Sequence, residues 1–381
     1  MPKANFRKTI RVILALFSAC AFIMVVVFAI PVISRPFKAR TFLKTKPTGR
    51  IVYAYKGDIW MRDFTEESSE VIISGPNCEY PRFSPNGKLI LFKHTDGRMK
   101  HELWIARHDG TEKRRLCFLN YGAICFWRDD TEIIALGGLF SESYRIIKIV
   151  PKIKVLDWQP VETKGGWAKN PSQAVSKISS IGDNYPFIYC SSDGKYYIKG
   201  IHPSLLLAPN GTRFILSHPF GYHINNIDRK KMVLKIRDVA SKTDLLGLVS
   251  GEIDGIGMNG GYPRWSPDSQ KVVFDASRGE DYSSLIWICE FDNSDKVTLK
   301  YLSTLRSHKR NLKGCFLERY SMPCWSPDGR YVACSHMVPS FADKIQPIHM
   351  SWHGKSWIYI HDLETGSGVD LFEGSMPNWH M

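Results

Sequence analysis

One short pattern recurs between residues 50 and 381 and restricts the fold more than any other feature. It is an aromatic residue, then Ser-Pro, then Asn or Asp, then a turn residue and an apolar run. It reads Pro81-Arg82-Phe83-Ser84-Pro85-Asn86-Gly87 before Leu89 to Phe92, and Pro263-Arg264-Trp265-Ser266-Pro267-Asp268-Ser269 before Val272 to Phe274. The third copy is Pro323-Cys324-Trp325-Ser326-Pro327-Asp328-Gly329 before Tyr331 to Cys334. Looser copies stand at Leu206-Leu207-Ala208-Pro209-Asn210-Gly211 and at Cys125-Phe126-Trp127-Arg128-Asp129-Asp130. Pro presets φ for a turn, Asn or Asp bonds its own backbone, and Gly accepts positive φ, so each copy predicts a strand, a tight turn and a second strand. A second hairpin follows: Leu103 to Gly110, Leu285 to Cys289, and Trp357 to Asp362. Two hairpins make one four-stranded unit of about 40 residues or more.

Repeated four-stranded units predict an all-β propeller. Trp-Ser-Pro-Asp-Gly before an apolar strand, with Ile-Tyr-x-x-Asp beyond it, resembles the WD-like repeat of the TolB-type propellers. The resemblance covers most of residues 50–381 and implies a propeller; such propellers sometimes accompany a hydrolase domain, which is not expected here because no nucleophile elbow occurs. It also implies a place outside the cytoplasm, at a bacterial envelope, among envelope proteins. The extra N-terminal α/β domain of that family has no counterpart, because strands begin almost directly after residue 48.

The aligned first-strand residues Phe83, Phe126, Leu207, Trp265, Trp325 and Trp379 are separated by 43, 81, 58, 60 and 54 residues. A gap of 81 holds nearly two units, and Phe187 to Ile198 reads as a hairpin within it, so seven blades are favoured over six plus an insertion. Met376-Pro377-Asn378-Trp379-His380-Met381 matches a first strand with no strand after it. Ile51–Tyr55, Asp58–Asp63 and Val71–Ile73 match a second, third and fourth. One blade is therefore expected to be built from both ends, which removes open sheet edges.

Ahead of the repeats, Val12 to Ile33 is a run of 22 residues without a charge. At about 1.5 Å per residue it spans about 33 Å, enough to cross a hydrocarbon core. The expected organisation is a basic tail (1–11), a transmembrane helix (12–33), a basic linker (34–48) and the propeller (49–381). A cleaved signal peptide is the rival reading, although its apolar region is usually shorter, about 7–15 residues. The first 50 residues hold ten basic and no acidic side chains, so of the net +14 only +4 belongs to residues 51–381. The charge thus points to lipid headgroups beside the helix, and nucleic acid is not an expected partner. Most of the nine cysteines lie in apolar runs and read as small core residues.

Function is expected on one face. Tight turns join strands one and two, while the longer connections (93–102, 217–231, 275–284, 335–355, 250–261 and 303–321) all fall at the opposite end of the sheets. Long loops on a rigid scaffold usually carry binding. His94, His218 and His336 each lie nine residues after a turn proline, at that end. Phe220, Tyr222, His223, Arg278, Tyr282, Trp352 and His353 lie in the same connections. Together these ten form the expected ligand-binding face, suited to a protein or a glycan. Histidines on different blades are expected more than about 10 Å apart, too far to share one zinc whose ligands sit at about 2 Å. No metal, cofactor or catalytic residue is therefore expected. The alternative is a carbohydrate lyase or hydrolase with a His-held divalent metal, as the resemblance also implies for some propellers. No nucleophile elbow, zinc-protease helix or phosphate-binding loop occurs.

Overall fold

The computed structural model describes residues 16–19, 39, 41–42, 44–96, 100–119, 124–127, 130–136, 143–149, 154–155, 159–160, 189–190, 196–197, 205–210, 213–217, 232–238, 244–249, 261–277, 284–292, 297–302, 319–338 and 355–381. Their strands form seven antiparallel sheets. β1 (Arg50–Tyr55), β2 (Asp58–Asp63) and β3 (Ser68–Ile73) belong to the first. The second is the meander β4 (Cys78–Phe83), β5 (Leu89–Thr95), β6 (His101–Arg107) and β7 (Arg114–Leu119). The third holds β8 (Ile124–Trp127), β9 (Glu132–Leu136) and β10 (Ser143–Lys148), with the short β11 (Lys154–Val155) and β12 (Gln159–Pro160) both paired to β10. β13 (Tyr189–Cys190) and β14 (Tyr196–Tyr197) pair as a small hairpin. Three more meanders follow. They are β15 (Leu205–Leu207), β16 (Arg213–Ser217), β17 (Met232–Asp238) and β18 (Asp244–Val249); β19 (Gly261–Trp265), β20 (Lys271–Ser277), β21 (Ser284–Phe291) and β22 (Val297–Tyr301); and β23 (Arg319–Trp325), β24 (Tyr331–Val338), β25 (Lys355–Asp362) and β26 (Ser367–Glu373).

The last strand, β27 (Ser375–His380), returns to β1 and completes the first sheet, with Ile51 opposite Trp379 and Val52 opposite Asn378. The expected seam between the two ends of the chain is present. Gly49 makes it possible: its φ is +84°, and a Cβ there would lie 2.3 Å from the carbonyl oxygen of His380. Trp379 lies over Phe64 at 5.1 Å between ring centroids and donates its indole N–H to the carbonyl of Thr48 at 2.8 Å.

The Ser-Pro-Asx turn is stabilised by its own side chains. Ser84, Ser266 and Ser326 are almost fully buried, and each hydroxyl accepts the N–H five residues on, at 3.0, 2.8 and 2.8 Å. Each also donates to the carboxylate or amide oxygen of Asn86, Asp268 or Asp328, which in turn accepts the N–H two residues beyond it. The hydroxyl and two backbone N–H groups of each corner are thereby partnered without water. The Asp of the second hairpin works similarly. Asp362, fully buried, holds Arg330 at 2.8 Å and accepts the N–H of Glu364 at 3.0 Å.

Neighbouring sheets pack face to face through apolar clusters. One joins β4–β7 to β8–β10, one β1–β3 to β4–β6, one β23–β26 to β1 and β27, and one β19–β22 to β23–β25. Indole N–H groups tie the same neighbours: Trp127 donates to the carbonyl of Arg82 at 3.2 Å, and Trp325 to that of Arg264 at 3.0 Å. Trp127 therefore holds the place in β8 that the spacing had assigned to Phe126, a shift of one residue. The turn after β8 departs from the Ser-Pro-Asx pattern, which is why alignment on that pattern slips there. Sheets packed this way, with first strands innermost, are arranged as propeller blades.

Six cysteines (Cys78, Cys117, Cys125, Cys289, Cys324 and Cys334) are buried free thiols, as expected of small core residues. Among the described residues no helix is long and apolar enough to cross a membrane. Of Val12–Ile33 only Leu16–Ala19 are described, as helix, so the expected span lies outside the described residues.

Replacing Trp379 by Ala is expected to lower stability by about 3–5 kcal/mol, and by Phe, which keeps most of the packing, by about 1 kcal/mol. Denaturant titration of the two variants checks this. Losses under about 0.5 kcal/mol for both would mean that the seam is not stabilising.

Candidate functional site

The first strands share an irregularity. Register slips between Glu79 and Arg82 in β4, between Gly261 and Arg264 in β19, and between Ser321 and Cys324 in β23, and opposite β27 it slips between Val52 and Ala54. At each slip a residue with positive φ precedes a proline: Tyr80 (53°), Tyr262 (48°), Met322 (54°) and Met376 (58°). A bulge of this kind bends the strand and re-aims its side chains. Left-handed conformations of non-glycine residues cost about 1–3 kcal/mol each. Hydrogen bonds from the freed N–H groups offset part of that. Met376 donates to Ser335 Oγ at 2.7 Å, Met322 donates to Asp275 Oδ2 at 3.2 Å, and the N–H of Tyr80 reaches Met376 Sδ at 3.4 Å. Asp275 and Ser335 lie at the same place on their second strands, eight residues after the turn proline, and so link each sheet to the next.

These bulges converge on a cavity of about 360 Å³, open space included, between β4, β19, β23 and β27. Its walls are Tyr80, Tyr262, Met322, Cys324, Met376, the prolines Pro81, Pro323 and Pro377, and the polar groups of Arg82, Arg264 and Asn378. β4 and β19 belong to sheets with two others between them, so the cavity lies on the common axis. Protein surrounds both guanidinium groups, yet each arginine keeps part of its surface open. Burial pushes Arg264 down to about 9, with repulsion from Arg82 adding to it and Cys324 and Asp275 opposing. Burial likewise lowers Arg82. Lys93, on β5 beside this group, is lowered by burial and by Arg82, and its ammonium lies 4.7 Å from the centre of the Tyr80 ring. The site is thus cationic, aromatic and poorly hydrated, a setting in which charge interacts strongly.

Of the ten expected face residues, His94 and His336 are described. His218, Phe220, Tyr222, His223, Arg278, Tyr282, Trp352 and His353 lie outside the described residues. His94 Nδ1 is 3.4 Å from Glu102. Burial pushes the Glu102 carboxyl up, but bonds from Trp104 at 2.8 Å and Arg115 at 2.9 Å prevail and hold it below the usual carboxylate range. His336 is stacked on Tyr320 at 4.1 Å, with Nδ1 2.6 Å from Asp370. Each histidine is thus engaged by a carboxylate of its own sheet, and the two do not share a site. Among the described residues no three His, Cys, Asp or Glu side chains are grouped to hold a metal.

The axial residues Tyr80, Arg82, Lys93, Tyr262 and Arg264 were not anticipated. A signal existed: the tripeptide Tyr-Pro-Arg stands at residues 80–82 and again at 262–264, one repeat position used twice. Alternation along a regular strand does not reveal that a bulge turns both arginines to the axis.

No family model matches the chain, and no curated protein matches it in sequence. Solved structures resemble it in fold. TolB from Acinetobacter baumannii is 12% identical with a TM-score of 0.49, over 87% of this chain and 66% of that one. The β-propeller domain of the trilobed protease from Pyrococcus furiosus is 15% identical with a TM-score of 0.44, over 84% and 87%. Oligogalacturonate lyase from Vibrio parahaemolyticus is 13% identical with a TM-score of 0.37, over 86% and 74%. The chain spans about two thirds of the TolB length, and at such values the likeness carries no argument on activity.

On β25, burial pushes His361 down to about 4, with Asp362 opposing and Lys300 of β22 adding. A histidine depressed when folded stabilises the fold above its unfolded pKa of about 6.5, and that stability is lost as pH falls toward the folded value. Stability is expected to drop by about 1–3 kcal/mol between pH 6.5 and 4, and His361→Gln to remove part of that drop. Denaturation midpoints across this range check it, and identical pH profiles for both proteins would contradict it.

Proposed function

We propose that the chain is a noncatalytic propeller of seven blades, tethered to a membrane by residues 12–33, that binds a protein or glycan of the cell envelope. The observation that carries the binding role is the axial cavity, where two arginines from non-adjacent sheets meet among aromatic and apolar walls. Polar groups converging in a concavity are what ligand sites generally offer. The cavity lies toward the end of the sheets from which the longer connections leave. Tyr222, Tyr282 and Trp352 belong to those connections in the sequence. Seven blades are supported by six sheets of four or more strands together with the β13–β14 hairpin, which falls where the degenerate blade is expected.

The membrane tether rests on the uncharged run and its basic flanks, and the extracytoplasmic position on the resemblance of the repeats. Protease added to spheroplasts should digest residues 49–381, and full protection would refute this topology. A metal-dependent lyase is the second reading, favoured by histidines at the ends of β5 and β24. It requires a divalent ion bound near one per chain by elemental analysis, together with cleavage of an acidic polysaccharide.

The binding role is tested with the full chain in lipid nanodiscs, crosslinked to envelope components. A Tyr222→Ala, Tyr282→Ala, Trp352→Ala variant is expected to lose at least about tenfold of the captured ligand, as when several interface anchors are truncated. Undiminished capture would remove the long-loop face from the site.

A further inference from the structure

Resting on the membrane tether just proposed, we infer that residues 39–48 seat the propeller with its tight-turn face toward the anchor's bilayer, so that the face of longer connections points away from the bilayer and receives partners from the aqueous side. The observation that carries this is where the chain enters the fold. Ala39, Thr41 and Phe42 are helical, and the carbonyl of Phe42 accepts the N–H of Thr45 at 2.8 Å and its hydroxyl at 2.7 Å. Phe42 keeps only 6% of its surface exposed and belongs to the cluster of Phe64, Tyr331 and Trp379, with Ala39 packed against the same cluster. Its ring meets Tyr331 edge-on at 5.8 Å, and the Tyr331 hydroxyl donates to the carbonyl of Thr45 at 3.0 Å. Pro47 is buried, and the carbonyl of Thr48 takes the indole N–H of Trp379 at 2.8 Å. One aromatic side chain and two backbone carbonyls thus fasten the approach segment before β1 begins. A mere spacer would leave these groups in water.

The contacts all lie at one end of the sheets. Tyr331 opens β24 opposite Asp362, the last residue of β25, and Arg50 opens β1 opposite Asp63, the last of β2. Those ends are joined by the tight turns. The longer connections leave the opposite ends, about 20 Å away for strands of six or seven residues. Reach from the anchor is short. Residues 34–38 alone separate Ile33 from Ala39, and that stretch extends at most about 20 Å. A ring fastened at 39–48 is therefore kept beside the headgroups with its tight turns nearest. Charge does not impose this arrangement. Exposed Glu66, Glu67 and Glu112 stand at those turns together with Lys88, Lys113 and Arg114, so the face is not one that anionic lipid would select. The fastened segment sets the orientation. Partners of the longer connections then approach from solvent, and headgroups of the same bilayer lie beyond their reach.

The experiment holds the full chain in zwitterionic lipid nanodiscs with a rhodamine acceptor on the headgroups. Two versions carry p-azidophenylalanine coupled to a fluorescent donor, in place of Lys113 at the tight-turn end of the β4–β7 sheet or of Lys100 at its other end, both exposed. The two positions differ by about 20 Å along the sheet, so energy transfer is expected to be at least about twofold higher from Lys113. With biotin at the same positions, streptavidin is expected to capture the nanodiscs several-fold faster through Lys100. Phe42→Ser, which releases the segment from its seat and alters no strand residue, is expected to reduce the difference in transfer by about half or more. The comparison without that substitution stands even if Phe42→Ser fails to fold. Equal or reversed transfer overturns the inference, as does equal capture, or a difference that Phe42→Ser leaves unchanged. In each of those cases a chain still held by the nanodisc keeps the tether. A chain that separates from the nanodisc removes the tether and the inference with it.

Discussion

The pairing of β27 with β1 is the constraint on which the other features depend. Each of the meanders β4–β7, β19–β22 and β23–β26 is made from one continuous stretch and settles its own register through its turns. The first sheet has no such local guide. It forms only when residues about 320 apart in sequence meet, and that contact also brings Met376 and Asn378 to the axis beside Tyr80 and Phe83. Without the seam, β1 would expose an edge, and the cavity would lose one wall. Long-range strand pairing is slow because chain entropy is lost before contacts compensate. The seam is therefore expected to form after the local meanders.

The bulged first strands connect that architecture to the axial cavity. In each described case the positive-φ residue precedes a proline, and for Tyr80, Met322 and Met376 its N–H is taken up by a side chain of the neighbouring sheet. The bond that ties two blades together is thus part of the device that lines the cavity. Changing Asp275 or Ser335 would disturb the junction and the site at once. In this fold polar side chains reach the axis without loops, because the rigid part of the scaffold is itself bent toward it.

Much of the fold was legible in the residues. Ser84-Pro85-Asn86-Gly87 and its counterparts specify a hairpin by local chemistry, and Trp379 matched a first strand lacking a partner nearby. Legibility ended where tertiary contacts decide. Phe126 and Trp127 could not be told apart until the indole of Trp127 was seen bonded to the carbonyl of Arg82. The axial arginines were hidden because a regular strand alternates faces, whereas a bulge breaks the alternation. His94 and His336 drew attention by their spacing, yet Glu102 and Asp370, which engage them, lie on other strands whose register the spacing does not report.

Hydrogen exchange on the intact chain tests the seam most directly. Amides of β27 and of Ile51–Ala54 should exchange together, with protection close to that of β5 and β24, since all four would open only when the ring opens. Rapid exchange throughout β27 while β5 and β24 stay protected would show that the ends of the chain do not close the structure.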